Sequence, residues 1–258
     1  MRKKVVAVVP ARMASTRFPG KPLAKILELP MIEHVRRRAI LCSDVDEVIV
    51  ATCDQEIIDC VESFGGKAVM TADTHKRCTD RVEEAMQEVE ADLVVILQGD
   101  EPLVLPGVVK SCLVPFQEDP DLPCSNLLSI INSIEDYENI DVVKTVVDLQ
   151  KRVLYFSRAS IPYLREKENV VLYRQTGLSV FSKKFLHTFA KLSPSPLEVT
   201  ESVDFQRILE HGYCIQGVIF DKPIVGVDRP FQVELVEKEL REVEEQQKIY
   251  QQTLAISA

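Results

Sequence analysis

Residues 4–23 read KVVAVVPARMASTRFPGKPL, and the reading of this stretch decides the fold. Its first part, Lys4–Pro10, is an apolar run rich in β-branched valine, which predicts a buried strand of a parallel sheet. Pro10 closes the run. The loop that follows carries three cations, Arg12, Arg17 and Lys21, among Ser15, Thr16, Pro19, Gly20 and Pro22. In open α/β sheets, ligands bind in the crevice beyond the carboxyl ends of the strands. Three cations on a small-residue loop at such a strand end suit a polyphosphate. Gly20 allows close backbone approach, and the hydroxyls of Ser15 and Thr16 can donate to phosphate oxygens. The loop is neither the GxxxxGK[ST] phosphate loop nor the GxGxxG turn of dinucleotide folds.

Outward from this stretch the chain alternates strand and helix. Met31–Ile40 has amphipathic spacing, with arginines at 36–38, and predicts the first crossover helix. Asp46–Thr52 predicts a second buried strand. Asp54 then stands as the N-cap of a helix over Gln55–Phe64, which Gly65-Gly66 ends before a third strand at Lys67–Met70. The polar loop Thr71–Arg81 enters a helix over Val82–Val89, and Asp92–Gln98 is the most apolar strand. Such alternation implies a parallel sheet with crossover helices.

A helix over Pro106–Phe116 leads to strands at Cys124–Ser129, Asp141–Asp148, Val153–Phe156 and Tyr173–Phe181, with a hairpin turn around Leu149–Arg152. Phe185–Ala190 predicts a short helix. Pro194–Glu198 opens a long helix over 199–211, which Gly212 ends. Tyr213–Phe220 is the last strand. Pro230–Gln252 predicts a charged C-terminal helix whose apolar stripe is Val233, Val236 and Leu240.

Composition narrows the function classes. At 258 residues, 46% hydrophobic and 28% charged, the chain is an ordinary globular one, read as a single domain over 1–258. No apolar run approaches the ~20 residues of a membrane span, and no charged-then-apolar leader begins the chain, so a cytoplasmic protein without membrane insertion is expected. A net charge of −9 argues against a nucleic-acid surface, and bound polyphosphate requires a local cluster of cations. The seven cysteines and four histidines are scattered, without CxxC or zinc spacing, so reduced thiols are expected. Asp100, in Gly99-Asp100-Glu101-Pro102 directly after the most apolar strand, suits magnesium, which takes one or two carboxylates plus phosphate oxygens and water. Glu101, before Pro102, fits the acid of a helix start.

Here a resemblance appears. PARMASTRFPGKPL at 10–23, LQGDEPL at 97–103, YFSRASIPY at 155–163, SPLE at 195–198 and GVDRP at 226–230 resemble the motifs of the sugar nucleotidyltransferases. They are most similar to the cytidylyltransferases that activate 3-deoxy-manno-octulosonate (Kdo). The resemblance implies a Rossmann-like, GT-A-like α/β fold: a mostly parallel central sheet flanked by helices, with a β-rich dimerisation arm at about 139–165. It implies transfer of CMP from CTP to a 3-deoxy-2-keto sugar acid with release of pyrophosphate, by a cytoplasmic homodimer serving surface polysaccharide synthesis. Arg12, Lys21, Asp100 and Asp228 become the catalytic set, with Asp100 and Asp228 holding Mg²⁺. The implied nucleotide set is Ala11, Arg12, Ser15, Arg17, Lys21, Arg77, Cys78, Thr79, Asp80 and Arg81. The implied sugar set is Gln98, Arg158, Gln175, Ser179, Glu201 and Asp204.

Departures from the family pattern concentrate at the sugar end. The family stretch R/K-H-x-GIYAY falls on 174–181, where Gln175 replaces His and Ser179 and Phe181 replace Tyr. In the helix segment Glu198, Glu201 and Arg207 are kept, but Asp204 and Phe205 stand for Glu and Gln. A site left with unpaired polar groups discriminates strongly among substrates. The stretch H-x-SGTDR keeps His75, Thr79, Asp80 and Arg81, with Arg77-Cys78 in place of Ser-Gly. A different acidic sugar is therefore an alternative, and a non-catalytic nucleotide-binding module is a second. A sugar 1-phosphate pyrophosphorylase would show a GxGTRL-type loop, which is lacking.

Overall fold

A computed structural model of the protein describes residues 2–15, 17–75, 77–166, 168 and 170–256; the expected role of the Thr16 hydroxyl lies outside them. The chain forms two compact units, Met1–Lys110 with Ile224–Ala258, and Ser111–Pro223.

In the first unit, β1 (Val5–Ala11) is buried along its whole length, as the valine-rich run requires. Antiparallel β2 (Lys25–Ile26) and β3 (Leu29–Pro30) form a small hairpin absent from the sequence expectations. They lead into α1 (Met31–Ile40), which has the bounds its periodicity predicts. Next come β4 (Glu47–Thr52), α2 (Gln55–Ser63), β5 (Lys67–Met70), α3 (Cys78–Ala85) and β6 (Leu93–Leu97). The ladder runs β6–β1–β4–β5, and every pairing is parallel. Pro10 is tolerated inside β1 because the β6 pairing stops at Val8 opposite Ile96, so no ladder bond to β6 is lost there. α3 starts four residues earlier than expected, so Asp80 and Arg81 lie in its first turn. The next helix is α4 (Pro106–Leu113), well beyond Glu101, which therefore sits in the turn after β6 and does not start a helix.

In the second unit α5 (Pro115–Glu118) precedes β7 (Cys124–Ile130), α6 (Ile134–Glu138), β8 (Lys144–Val147), β9 (Val153–Ser157) and β10 (Tyr173–Ser182). β8 and β9 form the expected antiparallel hairpin, and β10 runs antiparallel to both β7 and β8. α7 (Lys183–Lys191), α8 (Pro196–Glu201), α9 (Phe205–Glu210) and β11 (Ile215–Phe220) complete it, with β11 parallel to β7. The single helix expected over 199–211 is broken, because Ser202 takes a left-handed conformation at φ 53. The break leaves Glu201 at a helix end, where its carboxylate accepts from Ser157 Oγ and from Arg158 N–H, each at 2.8 Å.

The chain then returns to the first unit through α10 (Phe231–Glu242) and α11 (Glu244–Leu254). These replace the one long C-terminal helix, with Val243 extended between them. The reason is reach. Val236 and Leu240 pack with Ile26, Leu29, Met31, Leu103 and Val227, and Tyr250 joins the same cluster. In an unbroken helix Tyr250 would lie about 15 Å along the axis from Leu240.

α11 is fixed to α1 by polar contacts that the amphipathic reading did not anticipate. Arg36, Arg37 and Arg38 are all buried. Glu33 takes Arg36 Nε at 2.6 Å and Arg37 Nε at 2.9 Å, while Arg37 also donates to the Thr253 carbonyl at 2.8 Å. A buried carboxylate with two guanidinium partners is satisfied, and removing one partner would strand a charge. Among the described residues no helix is long and apolar enough to cross a membrane, and all seven cysteines are free thiols, as expected.

His34 on α1 stacks on Tyr250 at 5.5 Å, with Nε2 against the Ile26 carbonyl at 2.8 Å. Burial pulls its pKa from 6.5 to about 4, against the raising effect of the Ile26 bond and with help from Arg38 and Arg37. The folded state thus binds fewer protons than the unfolded chain, and stability falls as pH drops from 6.5 toward 4. The loss expected over that window is on the order of 3 kcal/mol. Denaturant midpoints of wild type and His34→Phe at several pH values test this: the variant loses that share of the slope, and equal slopes would contradict it.

Candidate active site

The carboxyl ends of β1 and β6 open onto a cleft of about 340 Å³ within the first unit. Of the expected nucleotide set, Ala11, Arg12, Ser15, Arg17, Lys21, Arg77, Cys78 and Arg81 line it. Asp100 and Asp228 line it too, together with Gln98, from the expected sugar set, and His75. Thr79 is buried and Asp80 half-buried in the first turn of α3, and neither lines the cleft.

The loop after β1 is shaped by its own backbone. The Met13 carbonyl accepts from Ser15 N–H at 2.9 Å and Gly20 N–H at 3.1 Å, and Ser15 Oγ accepts from Phe18 N–H at 3.3 Å. Gly20 sits at φ 71, a conformation costly for any residue with a Cβ. Met13 N–H donates to Asp54 Oδ2 at 2.8 Å. Asp54 holds the N-cap position of α2 as expected, but its side chain makes no cap bond there and instead tethers the cation-bearing loop to the end of β4. Gly99 is favoured by crowding, since a Cβ there would stand 3.2 Å from the Pro10 carbonyl oxygen, a tight contact with backbone. Asp100 is thereby brought beside the loop.

The charges on this rim are paired. Lys21 Nζ lies 2.7 Å from Asp100 Oδ2 and 3.8 Å from Asp228 Oδ1, and Arg17 lies 3.0 Å from that same Asp228 oxygen. Arg12 is exposed. Arg81, by contrast, is buried and donates to Thr71 Oγ1 and to the Ala72 carbonyl, so it shapes the 71–77 loop as well as lining the cleft. Among the described residues no three His, Cys, Asp or Glu side chains gather as a metal-binding group. The convergent acidic donors are the two aspartates.

Asp100 and Asp228, remote in sequence, meet because the loops that carry them are joined. Val227 N–H donates to the Asp100 carbonyl at 2.8 Å. Gln232, in the first turn of α10, then accepts at Oε1 from Asp228 N–H at 2.7 Å and Arg229 N–H at 2.8 Å. The amide oxygen thus ties down two backbone N–H groups just ahead of the helix. Sequence reasoning missed Gln232, Asp54 and Glu84. Asp54 had a signal, since it lies two residues beyond the end of a parallel strand. Glu84 had none: its carboxylate meets His75 Nε2 and accepts from Ala72 N–H at 3.0 Å. Partial burial pushes the Glu84 carboxyl up, but the bonds from His75 and Ala72 outweigh it and hold it below its ordinary value.

The rest of the expected sugar set lies in the second unit. Arg158 and Glu201 are brought together, with Arg158 Nε donating to the Glu201 carbonyl at 2.7 Å. Gln175 is half-buried beside the irregularity in β10, and Ser179 is buried opposite Asn126 of β7. Asp204 immediately precedes α9. Two of the departures explain each other. Phe181 and Phe205 are buried and meet edge to face at 5.7 Å, and Phe205 packs on Phe156 at 6.0 Å. They build core, which leaves Gln175, Ser179 and Asp204 as the sugar-end departures with polar groups to offer.

A model of the cytidylyltransferase family matches residues 6–251. The 3-deoxy-manno-octulosonate cytidylyltransferase of Geobacter metallireducens is 39% identical over 248 residues, covering 92% of this chain and 98% of the relative. That of Syntrophotalea carbinolica is 42% identical over 246 residues, covering 92% and 98%. A CMP:2-keto-3-deoxy-manno-octonic acid synthetase solved in complex with CTP has a TM-score of 0.86 at 39% identity, covering 92% of this chain and 98% of that one. A 4-diphosphocytidyl-2C-methyl-D-erythritol synthase from Anaerococcus prevotii, at TM-score 0.63 and 14% identity over 93% of this chain and 99% of its own, shares the fold alone. The cation-bearing loop, the fold and these likenesses agree: the chain belongs to the cytidylyltransferase family.

Proposed function

We propose that this nucleotidyltransferase transfers CMP from CTP to Kdo, releasing pyrophosphate. The observation that carries the reading is Lys21 held between Asp100 and Asp228 at the rim of a cation-lined cleft. Nucleotidyl transfer needs that combination: positive charge for the triphosphate, and carboxylates where the reacting oxygens gather.

Two carboxylates that converge on one ammonium fit magnesium, a hard cation that completes its shell with phosphate oxygens and water. Asp100 and Asp228 would hold it. Magnesium supplies charge neutralisation on the phosphates and acidifies the attacking hydroxyl. Arg12, Arg17 and Lys21 bind the β- and γ-phosphates and steady the pyrophosphate as it leaves. The Met13–Asp54 bond keeps their loop in place at the end of β1. The anomeric hydroxyl of the sugar attacks the α-phosphorus in line, the bond to pyrophosphate breaks, and no covalent enzyme intermediate forms.

A close relative of Kdo is the second reading, favoured by Gln175 and Ser179 where the family pattern has His and Tyr. We also propose a homodimer built on residues 139–165, supported by the exposed apolar side chains Ile140, Leu149, Leu154 and Tyr163. A cytoplasmic place in surface polysaccharide synthesis follows from the sugar.

The test is pyrophosphate release with CTP, Mg²⁺ and Kdo, with product masses read in parallel. Rapid release with a CMP-Kdo mass is expected. Turnover with another 2-keto sugar acid alone would select the second reading, and none with any sugar acid would refute both. Asp100→Asn should lower kcat by about 10²–10³-fold while CTP still binds; a loss of CTP affinity with no catalytic activity to lose would mark a binding module.

Gln232→Ala, which frees the backbone beside Asp228, should lower kcat by about five- to tenfold with little change in the KM for CTP. Gln232→Glu retains the acceptor and should restore most of the rate. Equal kcat in all three proteins would show that Gln232 does not position Asp228.

A further inference from the structure

Lys21 and Arg17 do more than line the cleft: they neutralise the two carboxylates assigned to the metal. Lys21 bridges Asp100 at 2.7 Å and Asp228 at 3.8 Å, and Arg17 takes the same Asp228 oxygen at 3.0 Å. The Lys21 side chain is only 13% exposed, so its end of the bridge is sheltered from water and salt, while the Asp100 and Asp228 side chains are 35% and 48% exposed. The Lys21 ammonium occupies one oxygen of each aspartate, and a divalent ion that is to take both of those oxygens must displace it.

Charge balance points the same way. The cleft is lined by five cationic side chains against two carboxylates. A divalent ion arriving alone adds to that excess of positive charge, whereas a triphosphate relieves it. The triphosphate also offers Lys21 and Arg17 a better anion than a single carboxylate, because it presents several charged oxygens at once.

We infer that Lys21, assisted by Arg17, is an ion-pair latch that makes metal loading depend on the nucleotide. The triphosphate draws the two cations off Asp100 and Asp228, and the freed carboxylates then accept the metal. By linkage the metal tightens nucleotide binding by the same factor. The bare protein therefore holds divalent ions weakly, and scavenging of metal without substrate is suppressed. This inference rests on the magnesium reading above.

The test uses Mn²⁺ as the probe, with no nucleotide present and free Mn²⁺ counted by its EPR signal. Wild type should bind weakly, and Lys21→Gln at least about tenfold more tightly. Lys21→Gln/Asp100→Asn should return to weak binding. Arg17→Gln/Lys21→Gln serves as a second variant, and thermal melts identify any variant that fails to fold. Lys21→Gln and Arg17→Gln/Lys21→Gln, both folded and neither tighter than wild type, would overturn the latch.

The metal reading is judged separately, by water-proton relaxation in the wild-type complex with CTP and Mn²⁺. An enhancement unchanged by Asp100→Asn would refute that reading. An enhancement that Asp100→Asn abolishes, with no tightening by Lys21→Gln, would refute only the latch.

Discussion

Complete burial of β1 is the constraint on which the first unit depends. Its seven residues are covered on both faces and laddered to β4 on one side and β6 on the other. Such a strand cannot shift register without exposing valine and breaking two ladders at once, so the position where it ends is set tightly. The loop from Arg12 to Gly20 leaves from that point, and Gly99 lets the turn after β6 pass within contact of Pro10. Lys21 and Asp100 become neighbours as a consequence of packing, before any attraction between their charges is considered.

The C-terminal return closes the arrangement. α10 and α11 bury Val236, Leu240 and Tyr250 against the β2–β3 hairpin and α1. Glu237 accepts from Leu27 N–H at 3.1 Å, and the Tyr250 hydroxyl accepts from Glu28 N–H at 3.3 Å. The hairpin lies just beyond the cation-bearing loop, so the helices that secure it also determine where Asp228 arrives. A chain of net charge −9 can in this way concentrate five cations around one cleft. The local field at the site is opposite to the global one, which suits an anionic substrate.

The second unit uses the same economy of buried contacts. Lys144 is fully buried and donates to the carbonyls of Asn139 at 2.8 Å, Val142 at 2.7 Å and Arg158 at 2.6 Å. Glu198, likewise buried, is gripped by Arg207 through bonds of 2.7 and 2.6 Å. These locks hold the Ser157–Arg158 segment against Glu201, so the residues expected to face the sugar are carried on a fixed backbone. The aromatic pair Phe181–Phe205 shows that substitutions far apart in sequence can be one packing event.

The strand–helix alternation, the bounds of α1 and β5, and the cation-bearing loop were legible because each is written in local periodicity or in a contiguous motif. So were Asp100 and Asp228, through the short motifs that carry them. Breaks in long helices were not legible. Neither Ser202 nor Val243 is a helix breaker by type, and each break exists because residues on either side are needed in separate places. The roles of Asp54, Glu84 and Gln232 were equally hidden, since an acidic or amide side chain has no periodicity and its partner is chosen by the fold. Sequence alone thus determined the layered α/β order and most of the charged residues that gather at the cleft. Only the tertiary structure decided which charge pairs with which, because pairing depends on distances that buried strands and returning helices impose across the chain.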